Sequence, residues 1–182
     1  MKKIVYLLVA CLFAGYTMAD EYTDSLANFQ KSPQVSALFS SAYGYAIFPA
    51  IGKGGFGLGG AYGEGKVYKQ GVQTGDVSMV QVTLGFQLGG QAFSEIIFFQ
   101  DKEAYDKFTS NGFEFSAQAS AVAITAGAQA QTSTTGTSAG AGKKAQAGNY
   151  SDGMATFTYA IGGLMFEAAL GGQKFSFVAD NN

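Results

Sequence analysis

Between Lys53 and Tyr68 the chain reads Lys-Gly-Gly-Phe-Gly-Leu-Gly-Gly-Ala-Tyr-Gly-Glu-Gly-Lys-Val-Tyr. Gly63 and Gly65 are unfit for a helix. Phe56, Leu58, Tyr62, Lys66 and Tyr68 alternate instead with mostly Gly or small residues at period two, which is the spacing of a strand. A strand face lined by Gly lets another backbone or an aromatic ring approach closely. The chain is therefore committed to tight β packing. Gly makes up 26 of the 182 residues, about twice the ordinary share of ~7%.

The rest of the chain fits around that strand. Residues 20–39 read as two helices. Tyr22, Leu26 and Phe29 form one apolar stripe. Ser32-Pro33 restarts a helix, with Ser as N-cap and Pro in the first turn. Val35, Leu38, Phe39 and Ala42 share a face of it. These helices read as packed on the core; a membrane-surface helix usually carries Lys on its polar face, and here Lys31 stands against Asp20, Glu21 and Asp24. Tyr45 to Phe48 is a short apolar run closed by Pro49, and residues 71–76 read as a turn. Val80, Val82, Leu84, Phe86 and Leu88 alternate strictly, Gly89-Gly90 breaks the run, and Ile96 to Phe99 closes a second strand. Residues 101–110 return to helix, with Asp101 able to cap it and Asn111-Gly112 as its stop. Residues 113–125 alternate again. Residues 127–148 hold only Ala, Gly, Ser, Thr, Gln and Lys; with no large apolar side chain to bury, they read as a flexible loop. Three closing strands are expected at 155–159, 164–170 and 174–178, parted by Gly pairs.

Composition removes whole classes of function. All 11 basic residues are Lys, and there is no His, no Arg and no Trp. Without His there is no Ser-His-Asp or Cys-His machinery and no Cys/His zinc site. Without Arg there is no guanidinium fork for phosphate. A pI near 5.0 argues against nucleic acid, which needs a basic face. Two motifs are mimicry. Gly55-Phe-Gly57-Leu-Gly59-Gly60 fits G-x-G-x-x-G, but strand, not helix, follows it, so no helix N-terminus waits for a pyrophosphate. Gly60 to Lys66 fits G-x-x-x-x-G-K, but Val67 stands where a magnesium-binding hydroxyl belongs. Asp101, Glu103 and Asp106 read as the solvated first turns of a helix, where acids favour the dipole. Glu64 and Glu167 lie amid apolar, glycine-rich sequence, where a salt bridge at a strand edge outweighs catalysis. A hydrolase built on one of them is a rival reading. No metal and no cofactor is expected.

The first residues read as an address. Lys2 and Lys3 precede an apolar run from Ile4 to Gly15, too short to span a bilayer. Thr17-Met18-Ala19 then supplies the small residues of a signal-peptidase site, cut after Ala19. The expectation is export across the inner membrane to the periplasm or the outer-membrane periphery. Leu8-Val9-Ala10-Cys11 has the form of a lipobox, and a lipid anchor at Cys11 is the competing reading.

Ile47-Phe-Pro49 followed by Gly52-Lys-Gly-Gly-Phe-Gly-Leu-Gly-Gly-Ala-Tyr-Gly-Glu-Gly65 strongly resembles the signature of the SYLF-domain family. Gln87 to Phe99, Asp101 to Phe108 with Gly112-Phe113, and Gly163 to Phe175 are similar to later family segments in the same order. The resemblance runs from about Val35 to Val178. It implies membrane-lipid binding: eukaryotic members recognise phosphoinositides and some bind actin, while bacterial members are secreted or lipid-anchored. Two features depart from the family. The N-terminal helix here is acidic where phosphoinositide binding leans on a basic one, and no Arg is present to grip an inositol phosphate. Phospholipid or another lipid is the partner that carries over; actin has no matching sequence here, and protein partners are left open.

The expected architecture is one domain over residues 20–182, mainly β (α+β): an antiparallel barrel or sandwich with two short N-terminal helices and one short central helix. The expected function is non-catalytic lipid or phospholipid binding at a membrane surface of the bacterial cell envelope. A small eight-stranded outer-membrane β-barrel is the alternative, since length, Gly and aromatic content fit it. Candidate lipid contacts are Lys53, Phe56, Tyr62, Lys66, Tyr68 and Lys69, where Lys and aromatic residues gather. Rings can enter the headgroup region while ammonium groups meet phosphates.

Overall fold

The computed structural model describes residues 21–110, 114–116, 122–124, 150 and 152–181. Within its strands, the side chains of 56–57, 83–88, 115–116, 122–124 and 162–171 lie outside the description. A helix over residues 21–30 (α1) leads to α2, Pro33–Ser41. The strands are β1 Gly44–Lys69, β2 Val72–Phe99, β3 Glu114–Ser116, β4 Val122–Ile124 and β5 Met154–Ala179, with α3 Lys102–Thr109 between β2 and β3. The sheet order is β1-β2-β5-β3, with β4 pairing with β5. All pairings are antiparallel except β4 with β5.

Three of these strands are far longer than the mean strand of ~5–6 residues. At ~3.3 Å per residue, the 26 residues of β1 would run roughly 85 Å if straight. They do not run straight. Gln70 N–H donates to the carbonyl of Tyr43, 3.2 Å away, so the two ends of β1 meet. The strand folds back at a crease, where a methyl on Gly55 would stand 2.5 Å from Gly59 Cα and the pairing with β2 slips between Phe56 and Leu58. β2 and β5 stay paired with each other through the same region. The long meander thus doubles into two layers. The first holds residues 44–54, 90–99 and 154–161 with β4; the second holds 59–69, 72–83 and 172–179 with β3.

Alternation then decides what each face meets. Ala46, Phe48, Ile51, Ile97, Phe99 and Met154 of the first layer and Ala61, Val67, Val77, Met79 and Phe175 of the second bury into one shared core. Phe48 and Phe175 meet across the layers at 5.8 Å. The outer face of the first layer, with Ile47, Ile96, Phe98, Ala155 and Phe157, is covered by Tyr22, Phe29, Val35 and Leu38 of α1 and α2. The end away from the crease is plugged by α3, whose Phe108 lies 4.9 Å from Phe99 and 5.0 Å from Phe175.

The mainly β class with its three expected helices is present, and the form is a sandwich. An eight-stranded outer-membrane barrel needs a closed sheet with an apolar outside and a polar lumen. Here, among the described residues, no pairing joins β1 to β3, the interior is the apolar core, and helices cover one outer face. Several expected breaks are also corrected. The turn is two residues, Gln70 and Gly71, both at positive φ (50° and 81°), the mirror-image turn that suits a hairpin's twist. Pro49 closes no strand; it sits at a register shift inside β1. Gly89-Gly90 does not end β2, and Gly162-Gly163 and Gly171-Gly172 do not divide β5. These glycines lie in and beside the crease, where a bent strand needs small residues. The expected helix stop at Asn111-Gly112 and the loop at 127–148 lie outside the described residues.

Caps follow the expectation in part. Ser32 holds the N-cap backbone position of α2 but makes no side-chain cap bond. Asp101 does cap α3, accepting from Ala104 N–H at 2.9 Å. Asp101→Ala is expected to cost about 1 kcal/mol in a urea melt, with Asp101→Asn restoring most of it; equal midpoints for Ala and wild type would show the cap contributes nothing.

Candidate functional site

The second layer's outer face has no helix over it among the described residues. Its composition changes along the strands. Nearest the crease stand Leu58 (59% exposed) and Val82 (56%), then Tyr62 (52%) opposite Val80 (48%). Lys174 pairs with Val80 on the other side and makes an exposed ion pair with Glu114 at 3.1 Å. One step further come Glu64, Ser78 and Ser176, and then Lys66 opposite Asp76. The face therefore gathers apolar side chains at the crease, has an aromatic and a Lys in the middle, and mixes Glu64, Lys66 and Asp76 with exposed Val178 and Val72 toward the hairpin turn. Large apolar side chains exposed side by side usually mark a contact surface.

The sequence candidates divide across this layout. Lys53 is half-buried opposite Gln91, just before the crease, and Phe56 pairs with Leu88 within it; the Phe56 side chain lies outside the description. Tyr62 is on the exposed face, its hydroxyl donating to Glu64 Oε1 at 2.7 Å. That bond to the carboxylate, with lesser burial and charge effects, raises the Tyr62 pKa. Lys66, Tyr68 and Lys69 lie at the hairpin end and are half-buried. Lys66 Nζ donates to Gln73 Oε1 at 3.2 Å and lies 5.2 Å from the centre of the Tyr22 ring. Tyr68 stacks on Tyr45 at 4.9 Å, and burial is the main cause of its raised pKa. Lys69 Nζ sits 5.8 Å from the Tyr105 ring. So the hairpin-end Lys residues face rings of their own protein, and Lys53, Phe56 and Tyr62 lie toward the apolar end.

Between this face and α1 runs a cleft of about 300 Å³ lined by Glu21, Tyr22, Pro49, Ala50, Tyr62 and Glu64. Burial first, then the charges of Asp76, Tyr68, Glu64 and Glu21, push the Tyr22 phenol up to about 12. Three of the carboxylates singled out in the sequence have partners of their own. Asp101 caps α3, Asp106 pairs with Lys102 at 2.5 Å on its exposed side, and Glu64 accepts from Tyr62, not from the Lys expected of it. The Glu167 side chain lies outside the description.

Sequence reading missed Val80 and Val82 as surface residues. Their alternation was visible, but Val77 and Met79 on the opposite side are apolar too, and periodicity does not say which side faces in. It also passed over Glu95, the single carboxylate in the apolar run Ser94 to Phe99.

A family model described as "Las17-binding protein actin regulator" (Ysc84) matches residues 80–182. The chain belongs to the SYLF family. A relative within reach of direct comparison is Beta cell expansion factor A of Aeromonas veronii, 30% identical over 162 residues, covering 87% of this chain and 54% of the relative. The chain thus spans about half of that relative's length. No solved structure matches. The SYLF match takes in β2 from Val80 onward, α3 and β5, and so includes Val80, Val82 and Lys174 of the exposed face.

Proposed function

We propose that the protein binds phospholipid at a membrane surface, docking through the crease end of the second layer. The observation that carries this is the cluster of exposed Leu58, Val80 and Val82 at the crease end of that face, beside Tyr62 and Lys174. Leu58 and Val82 can enter the acyl boundary, while Val80 shares the next row with Tyr62 and Lys174, at the level where aromatic rings and snorkelling Lys residues anchor proteins to headgroups. Glu64, Lys66 and Asp76 then stay in water. Lys53 and Phe56 flank the same end and remain contacts in this reading. The partner class is the one the family resemblance implies. The setting is the cell envelope, reached by export with cleavage after Ala19; intact-mass analysis of the protein from its host would report a chain starting at Asp20, and a diacylglyceryl-Cys11 would overturn that.

Vesicle co-sedimentation tests the docking face. Burying a Val contributes about 1.5 kcal/mol, so Val80→Asp with Val82→Asp is expected to weaken binding to phosphatidylethanolamine–phosphatidylglycerol vesicles by about a hundredfold. Lys66→Gln with Lys69→Gln, at the hairpin end, is expected to change it only a few-fold. A large loss in the Lys pair with none in the Val pair would move the contact to the hairpin end.

A further inference from the structure

Glu95 is the one charged residue in the described core, 1% exposed. It lies in the first-layer part of β2, in register with Phe48 of β1 and Thr158 of β5. Its Oε2 accepts from Gln173 Nε2 at 3.2 Å. Gln173 belongs to the second layer, where it pairs in register with the nearly buried Gln81. The bond therefore ties one layer to the other. Glu95 Oε1 accepts no hydrogen bond among the described residues. A buried carboxylate with one neutral donor is poorly stabilised.

The surroundings hold little that could offset a charge. β1 presents Phe48 and Ile51, with Lys53 two residues further toward the crease on the side of Ile51. β5 presents Gln173 and Phe175, β2 adds Met79, Gln81 and Ile97, and α3 brings Phe108 and Tyr105 to the same core. Lys53 and Tyr105 are the titratable groups among these. Burial pushes the Glu95 carboxyl up to about 7, opposed only by the Gln173 bond. Nearby, Gly54, Gly55, Gly59 and Gly60 of β1 and Gly89 and Gly90 of β2 line the crease, and glycine backbone is the easiest to re-bend.

We propose that Glu95 is a proton-operated latch between the two layers. As a neutral acid it stays in the closed sandwich with Gln173. As a carboxylate it draws water in and parts the layers beside the crease, opening apolar interior next to the exposed face. That this opening serves lipid uptake or insertion rests on the lipid-binding reading above; the latch itself does not.

The sign follows from linkage. The closed state holds the proton with a pKa of about 7, against the ordinary 4.5 of an open, hydrated Glu. Below pH 4.5 both states are protonated and the latch is shut. As pH rises to 7 the open state loses its proton first, so opening grows, and above 7 it levels off. The full change is about 300-fold, and about 30-fold of it falls between pH 5.5 and 8.

The experiment is hydrogen exchange on the full chain without lipid, at pH 5.5 and 8, with rates corrected for intrinsic exchange. Amides of β2 and β5 on either side of the crease should lose protection by about 30-fold at pH 8 in wild type and stay level in Glu95→Gln. A flat wild type overturns the latch, even if the variant fails to fold, and so does a Glu95→Gln variant with the wild-type response. Vesicle binding by wild type and by Val80→Asp with Val82→Asp runs in parallel. Equal binding by these two with a pH-sensitive exchange pattern would overturn the docking face and leave the latch standing.

Discussion

Gly65→Val should destabilise the protein by about 3 kcal/mol or more, at the upper end of overpacking. Gly65 sits in β1 where the second layer lies against the first. A Cβ there would stand 2.6 Å from the carbonyl oxygen of Ile47 and 2.7 Å from Phe48 Cδ1. The first is backbone, held in the ladder, and the second belongs to a fully buried ring, so neither can yield cheaply. Gly63 is similar, with Ile51 Cγ1 at 2.6 Å and the carbonyl of Ala50 at 3.2 Å. Gly52, in the same strand, has nothing within 4 Å of its Cβ position. Gly52→Ala should therefore be neutral or slightly stabilising, since it lowers the entropy of the unfolded chain. Urea melts of the two variants decide the matter. Equal midpoints would mean that the layers are not in contact through the glycine face.

Phe98→Ala should cost about 3–5 kcal/mol. Phe98 is fully buried between the first layer and α2. Its ring meets Phe39 edge-on at 5.0 Å, Tyr45 at 6.0 Å and Phe157 at 6.1 Å. Removing it takes away both the burial and the surface on which α2 rests. Hydrogen exchange should show α2 losing protection before the strands do. A double-mutant cycle with Phe39→Ala should return a coupling of ~0.5–1.5 kcal/mol, the range for an aromatic pair. A loss below 1 kcal/mol in the single variant would mean the helices are not docked on this face.

Much of the local structure was legible in the chain. The two N-terminal helices follow from the Tyr22, Leu26, Phe29 stripe and from Ser32-Pro33. α3 follows from Asp101 and the Tyr105, Phe108 pair, and β character follows from alternation. These are short-range patterns, set by side-chain spacing and caps. The candidate site was legible in part. Tyr62 was named and is exposed; Lys66, Tyr68 and Lys69 were named with it but stand at the other end of the layer against Tyr22, Tyr45 and Tyr105.

What the sequence alone determined is that this chain must be built of strands that approach closely, since Gly at alternate positions of β1 leaves no side chain to hold two layers apart. It also determined the absence of His and Arg chemistry and the family signature. Tertiary structure decided where the glycines act. Beside a turn, Gly supplies positive φ, and in a strand it supplies room; both look alike in one dimension. Only the doubling of β1, β2 and β5 shows that the Gly pairs mark a crease and not strand ends. The same folding chose which face of β2 went inside. Val77, Met79, Val80 and Val82 are all apolar, and a strand with two apolar faces buries the one its second layer closes on. It left Val80 and Val82 in water, and it enclosed Glu95 because the position opposite Phe48 faces inward whatever residue occupies it.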